Sequence, residues 1–158
     1  MSHTPIPVLA DPEFLGKQFT DLRFSSFGHE DGLALGKKLV ELAEAKGWAV
    51  ALSVTLGDHE IFHYCLPGTS TVNDEWIIKK RNLVVMLGQP TFLIGQRLAA
   101  EGKTVDDLGV SEDGFAAHGG GYPIMVGDDM VGQVIVSGVP QQDDHALVVD
   151  ALSSLLSR

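Results

Sequence analysis

The sequence predicts an α+β fold: a profilin-like arrangement in which an antiparallel sheet is flanked by helices. Two pairs of short apolar runs, each joined by a Gly-Asp turn, indicate two β-hairpins. Apolar residues that recur every three or four positions around these pairs indicate helices. Strands do not alternate singly with helices, which argues against a parallel sheet. The predicted order is therefore two helices, a hairpin, two helices, a second hairpin and a last helix.

Two helices are expected before the first hairpin. Asp11-Pro12-Glu13 predicts the start of the first, because Asp caps a helix, Pro suits its first position and Glu favours its positive end. This helix should run to about Leu22. The second should begin near Gly28 and end at Gly47, and the leucines between them recur at spacings of three and four, which gives one apolar face.

The first hairpin is expected over residues 48–56 and 60–66, with a turn at Gly57-Asp58. Strict alternation on the returning strand predicts two faces. One face holds His59, Ile61, His63 and Cys65, and the other holds Glu60, Phe62, Tyr64 and Leu66. Neither face is cleanly apolar, so we expect this strand to be covered on both sides.

The third helix should run from about Asn73 to Leu87, where Gly88-Gln89-Pro90 interrupts the pattern. Thr91 is then expected to cap a fourth helix that ends before Gly102. Residues 103–117 lack clear periodicity and should form an irregular connection with short helical turns.

The second hairpin is expected over residues 122–126 and 130–136, turning at Gly127-Asp128-Asp129. The final helix should extend from about Gln142 to Leu156, and its leucine and valine side chains provide a packing face.

Composition limits the partners and the location of the chain. Its 158 residues, of which 44% are hydrophobic, fit one domain. We place this domain at residues 11–158, after a short arm at residues 1–10 that carries two prolines. The net charge of −10 argues against nucleic acid or an anionic membrane as a main partner. Cys65 is the single cysteine, which excludes an intrachain disulfide and fits a reducing compartment. With no secretory signal or long apolar run, we expect a cytoplasmic protein.

Glycine-rich segments flank the second hairpin. We call residues 118–121 the first glycine elbow and residues 137–140 the second glycine elbow. One interpretation is that both are loops that need positive φ angles. The other is a backbone cradle for a carboxylate or another anion, since a helix begins directly after the second elbow. Asp143 and Asp144 could instead satisfy that helix start themselves, so both interpretations stay open.

The third helix places Asn73, Trp76 and Lys80 on one face, at spacings of three and four residues. An amide, an indole and an ammonium group on one face could hold a flat, acidic ligand by hydrogen bonding, stacking and charge. The alternative is that this face packs against a neighbouring subunit.

Histidines near the elbows are candidate metal ligands. His118 and His145 would meet if the elbows adjoin, and with Glu75, Asp143 or Asp144 they could form a nitrogen–oxygen metal site. No HExxH or CxxC spacing supports such a site. Cys65 lies within a predicted strand, where a thiol is usually inert packing.

Several motifs in combination resemble a known family. They are Leu66-Pro67-Gly68-Thr69, Asn73-Asp74-Glu75-Trp76, Lys79-Lys80-Arg81-Asn82, His118-Gly119-Gly120, Tyr122-Pro123-Ile124, Val136-Ser137-Gly138 and Asp143-Asp144-His145. Over residues 10–157 the chain resembles the uncharacterised cytosolic branch of the haem-degrading-domain superfamily, whose relatives include GlcG-like and HbpS-like proteins.

This resemblance implies a profilin-like antiparallel sheet of about five strands and a homo-oligomer built from dimers. The fifth strand would lie in residues 103–118 or elsewhere. Some superfamily members bind haem or influence its breakdown, and others are associated with glycolate or cobalamin metabolism. Haem is therefore the leading candidate cofactor, and His118 as its axial ligand is our own hypothesis.

Three functions follow as hypotheses. The first is an oligomeric binding or accessory protein for haem or another flat carboxylated small molecule. Its predicted ligand-binding residues are Asn73, Trp76, Lys80, His118, Gly119, Gly120, Ser137 and Gly138. The second is a non-catalytic protein-interaction scaffold with acidic surfaces. The third is a small-molecule enzyme that uses Glu75, Asp144 and His145 for acid–base chemistry.

Overall fold

The computed structural model describes residues 4–158, so residues 1–3 of the predicted arm lie outside the described part. Its helices and strands follow the predicted order and confirm the α+β class. They are α1 (Pro12–Asp21), α2 (His29–Lys46), β1 (Ala51–Leu56), β2 (His59–Cys65), α3 (Thr71–Leu87), α4 (Thr91–Ala100), β3 (Gly121–Val126), β4 (Asp129–Ser137) and α5 (Gln141–Leu156). A short 3-10 turn at Val105–Leu108 occupies the connection that was expected to be irregular.

The sheet has four antiparallel strands in the order β2-β1-β4-β3. The expectation of about five strands is wrong for residues 4–158. In the segment proposed for the fifth strand, Gly109 adopts a left-handed conformation and Ala116 N donates to Lys79 O of α3 rather than to a strand. Beyond β3, Phe24 makes only an isolated parallel bridge to Val126.

Local signals set most helix ends as expected. The Asp11 carboxylate accepts a hydrogen bond from Glu13 N at 3.1 Å, and Gly47 ends α2 with a φ of 69°. Thr91 is an exception, because it is the first helical residue and Pro90 occupies the cap position. The Thr91 hydroxyl instead accepts a hydrogen bond from Gly121 N at 2.9 Å, which ties α4 to the start of β3.

The sheet separates two apolar layers. The larger core lies between the sheet and a layer formed by α2 and α5, where Leu35, Leu52 and Leu147 are fully buried. On the opposite face α3 packs against the sheet through contacts such as Ile77 with Ile135. Burial of this apolar area is the main force that holds the three layers together.

A β-bulge in β2 overturns the strict alternation expected there. Val54 of β1 lies opposite Phe62, whereas the next residue, Thr55, lies opposite Glu60. Ile61 is therefore an extra residue between the two pairs. Because of this extra residue, the side chains of His59 and Glu60 point to the face of the sheet opposite to the one that strict alternation predicts.

The bulge changes which side chains share a face. Ile61 and Phe62 both pack against glycines of α2, so the predicted separation of these two residues is wrong. Glu60 joins His63 and Cys65 on the side of α3. β2 is also the outer strand of the sheet, and most of its residues are exposed. The expected coverage of both its faces is therefore wrong for the single chain.

The described part of the N-terminal arm is fixed to α4 by one buried glutamine. The Oε1 atom of Gln96 accepts hydrogen bonds from Leu9 N at 2.6 Å and Ala10 N at 2.9 Å. Its Nε2 atom donates to Pro7 O at 3.0 Å. Ile6 packs beside the same helix. Residues 4–10 thus run along the domain without regular secondary structure.

Within residues 4–158 no single helix is long and apolar enough to cross a membrane. Helices α3 and α4 together have the required length and composition, but a 78° bend separates them.

Close packing of α4 against the segment that leads to His118 gives a first prediction. A Cβ atom at Gly95 would overlap the carbonyl oxygen of Ala117. Gly95→Ala should therefore lower the free energy of unfolding by about 1–3 kcal/mol, although alanine favours helices. Urea denaturation measures this loss. The matched control is Gly114→Ala, which faces open space and should stay within about 0.5 kcal/mol of the parent. Equal losses in the two variants would contradict the prediction.

Candidate functional site

A cleft of about 370 Å³ lies where the first turns of α3 meet the two glycine elbows. We call it the elbow cleft. The predicted ligand-binding residues that line it are Asn73, Trp76, Lys80, His118, Ser137 and Gly138. Gly119 and Gly120 lie outside this lining. Asn73 also caps α3, since its Oδ1 atom accepts a hydrogen bond from Ser70 N at 3.0 Å.

A buried ion pair forms the floor of the elbow cleft. Lys80 is only 3% exposed, and its Nζ atom donates to Asp144 Oδ2 at 3.2 Å and to Val136 O at 2.9 Å. The same carboxylate accepts hydrogen bonds from Gly138 N at 3.3 Å and Val139 N at 3.2 Å. The amide groups that we expected to bind an external anion therefore donate to Asp144 instead.

Burial shifts both members of this pair toward their neutral forms. Desolvation raises the pKa of Asp144 to about 6, although the Lys80 ammonium and the elbow amides act in the opposite direction. Desolvation also lowers the pKa of Lys80, against the attraction of Asp144. Desolvation thus outweighs the mutual attraction of the two charges.

The glycines of the first elbow allow this close approach. Gly120 has a φ of 126°, and a Cβ atom there would overlap Val136 O and lie 2.8 Å from Lys80 Nζ. A Cβ atom at Gly119 would overlap Gln141 O. The amide of Gly119 is already bound to Gln141 Oε1 at 3.1 Å. These glycines are explained by backbone conformation and packing, without a bound anion.

Two aromatic rings form one wall of the elbow cleft. The rings of Trp76 and His118 meet edge to face, with centroids 5.5 Å apart and planes at 85°. Both rings also line a second cavity of about 230 Å³, on the side of Phe115. Burial and the nearby Lys80 charge lower the pKa of His118, which favours its neutral imidazole at pH 7.

His145 lies apart from this wall. Its ring packs against Phe92 and Tyr122, with centroids 4.8 Å and 5.8 Å away, and it does not line the elbow cleft. Nε2 lies 2.8 Å from Gln18 Oε1, while the buried Nδ1 has no hydrogen-bond partner. Burial lowers the pKa of His145 to about 4. The structure therefore does not bring His118 and His145 to one cavity.

The three acid–base candidates are also separated. Asp144 lies at the floor of the elbow cleft and is paired with Lys80. Glu75 is exposed on α3 and does not line the cleft, and His145 is buried against α1. The arrangement supplies no shared surface on which the three groups could contact one substrate.

A second cluster of reactive side chains lies on the outer strand. His63 and Cys65 of β2 and Asp74 of α3 place one donor atom each within 4.8 Å of the others. Cys65 is exposed, so its prediction as inert packing is wrong. Neighbouring atoms still remove some water from the thiol, and this desolvation together with the Asp74 carboxylate raises the pKa of Cys65. The strand pattern placed His63 and Cys65 on one face, but it did not reveal the cluster because the third member, Asp74, comes from α3.

The sequence matches one protein-family model over most of its length. Residues 27–153 match the model described as haem degrading protein HbpS-like. A UPF0303 protein of Streptomyces avermitilis is 42% identical over 139 residues, which cover 87% of this chain and 85% of that protein. These matches confirm the resemblance inferred from the sequence motifs.

Solved structures show the same fold at low sequence identity. The crystal structure of Ybr137w superposes with a TM-score of 0.86 at 24% identity, covering 93% of this chain and 88% of that chain. The crystal structure of a PduOC:heme complex superposes with a TM-score of 0.69 at 19% identity, covering 82% of this chain and 94% of that chain. Identities this low establish shared architecture only.

Proposed function

This chain belongs to the HbpS-like family of haem degrading proteins, and on that premise we propose that it binds haem, or another flat carboxylated small molecule, in the elbow cleft. One observation carries the proposal. Trp76 and His118 together form the wall shared by two adjoining cavities, so a flat molecule can contact both rings. The volume of the cleft lies within the range of roughly 300–1,000 Å³ that is common for small-molecule sites.

The donor set of this wall fits haem. Iron binds neutral imidazole, and the lowered pKa of His118 favours that form. Within residues 4–158 its ring contacts Trp76 but makes no hydrogen bond, so a ring nitrogen is available to a metal. Trp76 is 36% exposed and can stack on a macrocycle. When bound, haem would supply a redox-active iron, while these two residues would hold and orient it.

The ion pair changes how the ligand's carboxylates would be held. Lys80 and the amides of the second elbow are already engaged by Asp144, so we assign them a positioning role behind the wall. The more accessible cation is Lys79, whose Nζ atom lies 5.3 Å from the centroid of the Trp76 ring. A carboxylate beside Trp76 would therefore pair with Lys79.

We also propose that the chain forms a homo-oligomer built from dimers. Helix α3 exposes several large apolar side chains, namely Val72, Ile78, Val85, Met86 and Leu87. Exposed apolar groups concentrated on one helix are typical of a protein–protein interface. The same surface favours the interaction-scaffold hypothesis if its partner is a different protein. A cytoplasmic location stays a prediction.

Haem titration tests the proposal. Purified protein should show a saturable Soret shift, and His118→Ala should weaken haem binding by at least ~10-fold because an iron ligand is lost. His59→Ala is the matched control, since His59 is an exposed histidine outside the elbow cleft and should leave affinity unchanged. Native mass spectrometry of the same samples reports retained haem and subunit number together.

Three results would contradict parts of the proposal. Absence of a saturable Soret shift in the parent protein would reject haem as the ligand. An unchanged affinity in His118→Ala, with the parent's fold retained by circular dichroism, would reject His118 as the iron ligand. A monomer mass at all concentrations would reject the oligomer.

A further inference from the structure

We propose that His63, Cys65 and Asp74 form a zinc-binding site between strand β2 and the start of α3. The three side chains present a nitrogen, a sulfur and an oxygen donor to one point. None of them lines the elbow cleft, so the site is separate from the proposed haem site. Its parts are held by the sheet and by the first turns of α3, both of which are regular elements.

The distances between the donor atoms are within about half an ångström of those that a tetrahedral ion requires. Cys65 Sγ lies 3.7 Å from His63 Nε2 and 3.5 Å from Asp74 Oδ1, and the latter two atoms are 2.9 Å apart. Tetrahedral zinc with bonds of about 2.3 Å to sulfur and about 2.0–2.1 Å to nitrogen and oxygen requires donor separations of roughly 3.3–3.6 Å. Changes of a few tenths of an ångström would therefore admit the ion.

The same geometry argues against a cysteine nucleophile activated by histidine. In such a site the thiol and the acid contact opposite nitrogens of the imidazole ring. Here Cys65 and Asp74 both lie beside Nε2 of His63. Asp74, at 2.9 Å, holds Nε2 more closely than the thiol at 3.7 Å, so Nε2 is not free to take the thiol proton even though Glu60 lies beside the opposite ring nitrogen. Two donors that converge on one ring nitrogen are instead the arrangement of ligands around a shared ion.

A carboxylate also lies on the other side of the histidine ring. Glu60 Oε1 is 3.7 Å from His63 Nδ1, and its second oxygen lies 3.4 Å from Arg81 of α3. Metal-binding histidines usually donate their remaining N–H group to a carboxylate, which fixes the tautomer and the ring orientation. The bulge in β2 brings Glu60 to this face, so the backbone irregularity contributes directly to the site.

The donor set selects zinc over harder cations. Thiolate and imidazole ligands suit zinc, whereas magnesium and calcium prefer oxygen ligands alone. One thiolate and one carboxylate together balance the charge of a divalent ion. Three protein ligands leave a fourth position for water or for a donor from another molecule.

Cys65 provides a direct assay because it is the chain's single cysteine. Protein freed of metal by a chelator is titrated with zinc chloride by calorimetry, and thiol accessibility is followed with a thiol-reactive dye. We expect one zinc ion per chain, slower reaction of the thiol when zinc is present and full recovery after EDTA. Cobalt(II) added in place of zinc should produce a thiolate-to-metal charge-transfer band.

Variants identify the ligands. Cys65→Ser and His63→Gln should each weaken zinc binding by at least ~10-fold, and circular dichroism checks that both retain the parent's fold. His59→Gln is the matched control, because His59 lies on the same strand but faces His29 of α2. Haem titration of Cys65→Ser should match the parent, which separates this site from the elbow cleft.

Three outcomes would overturn the proposal. One is a thiol that reacts equally fast with and without zinc. Another is the absence of a charge-transfer band with cobalt(II). The third is zinc binding that survives in Cys65→Ser and His63→Gln but is lost in His59→Gln, which would place the ion at the His29–His59 pair instead.

Discussion

Lys80→Met should lower the free energy of unfolding by about 3–5 kcal/mol at pH 7, the range typical of breaking a buried ion pair. Methionine retains most of the volume of the lysine stem, so packing changes little. Asp144 is 2% exposed and would lose its only cationic partner among the described residues. The cost is therefore the burial of an uncompensated carboxylate, and urea denaturation measures it.

A double-mutant cycle separates the pair from its surroundings. Asp144→Asn removes the charge but keeps an acceptor for the elbow amides. The double variant should therefore lose about 1–3 kcal/mol less free energy of unfolding than the sum of the losses in the two single variants. Lys38→Met is the matched control. Its partner Glu41 lies at the surface, and the loss should stay below about 0.5 kcal/mol. Equal losses for Lys80→Met and Lys38→Met would contradict the assigned role of the buried pair.

Acidification should destabilise the fold through His145 by about 3 kcal/mol between pH 7 and pH 4. The folded-state pKa of His145 is about 4, below its ordinary value of 6.5. The unfolded chain therefore takes up a proton in the interval in which the folded chain does not. This contribution to stability is complete above pH 6.5 and is lost as the pH falls through 6.5 toward 4. Neutral His145 is required because its ring is buried against Phe92 and Tyr122.

Asp144 acts in the opposite direction in the same pH range. Its pKa is raised from 3.8 to about 6, so the folded chain binds this proton first and gains stability as the pH falls through 6. The pH dependence of the parent alone would therefore mix the two effects. Subtracting the free energy of unfolding of the parent from that of His145→Phe at each pH removes the contribution of Asp144, which both proteins share. We expect the free energy of unfolding of His145→Phe, relative to that of the parent, to rise by about 3 kcal/mol on going from pH 7 to pH 4.

Denaturation curves at several pH values provide this measurement. Phenylalanine suits the site because the ring lies among aromatic neighbours and the Nδ1 atom has no partner to lose. The lost contact with Gln18 should appear as a constant offset at all pH values. A difference that does not vary with pH would show that His145 is not the titrating group.

Sequence reasoning recovered the elements and the face of α3 because their signals are local. Caps such as Asp11 and Gly47 act within one helical turn, and the periodicity that predicts helices and strands spans only a few residues. The spacing of Asn73, Trp76 and Lys80 likewise predicted that all three would line one surface. Motif resemblance predicted the family, but it implied about five strands where residues 4–158 contain four.

The sequence by itself determined the order and the approximate bounds of the helices and strands, and that the chain is acidic. Only the tertiary structure decided that Asp144 rather than a ligand would occupy the elbow amides, that His145 would face α1, and that a bulge would bring Glu60 beside His63. Each of these outcomes depends on atoms that are distant in sequence. Their geometry depends on how whole layers pack against one another, and such packing produces no repeating pattern of residues in the sequence.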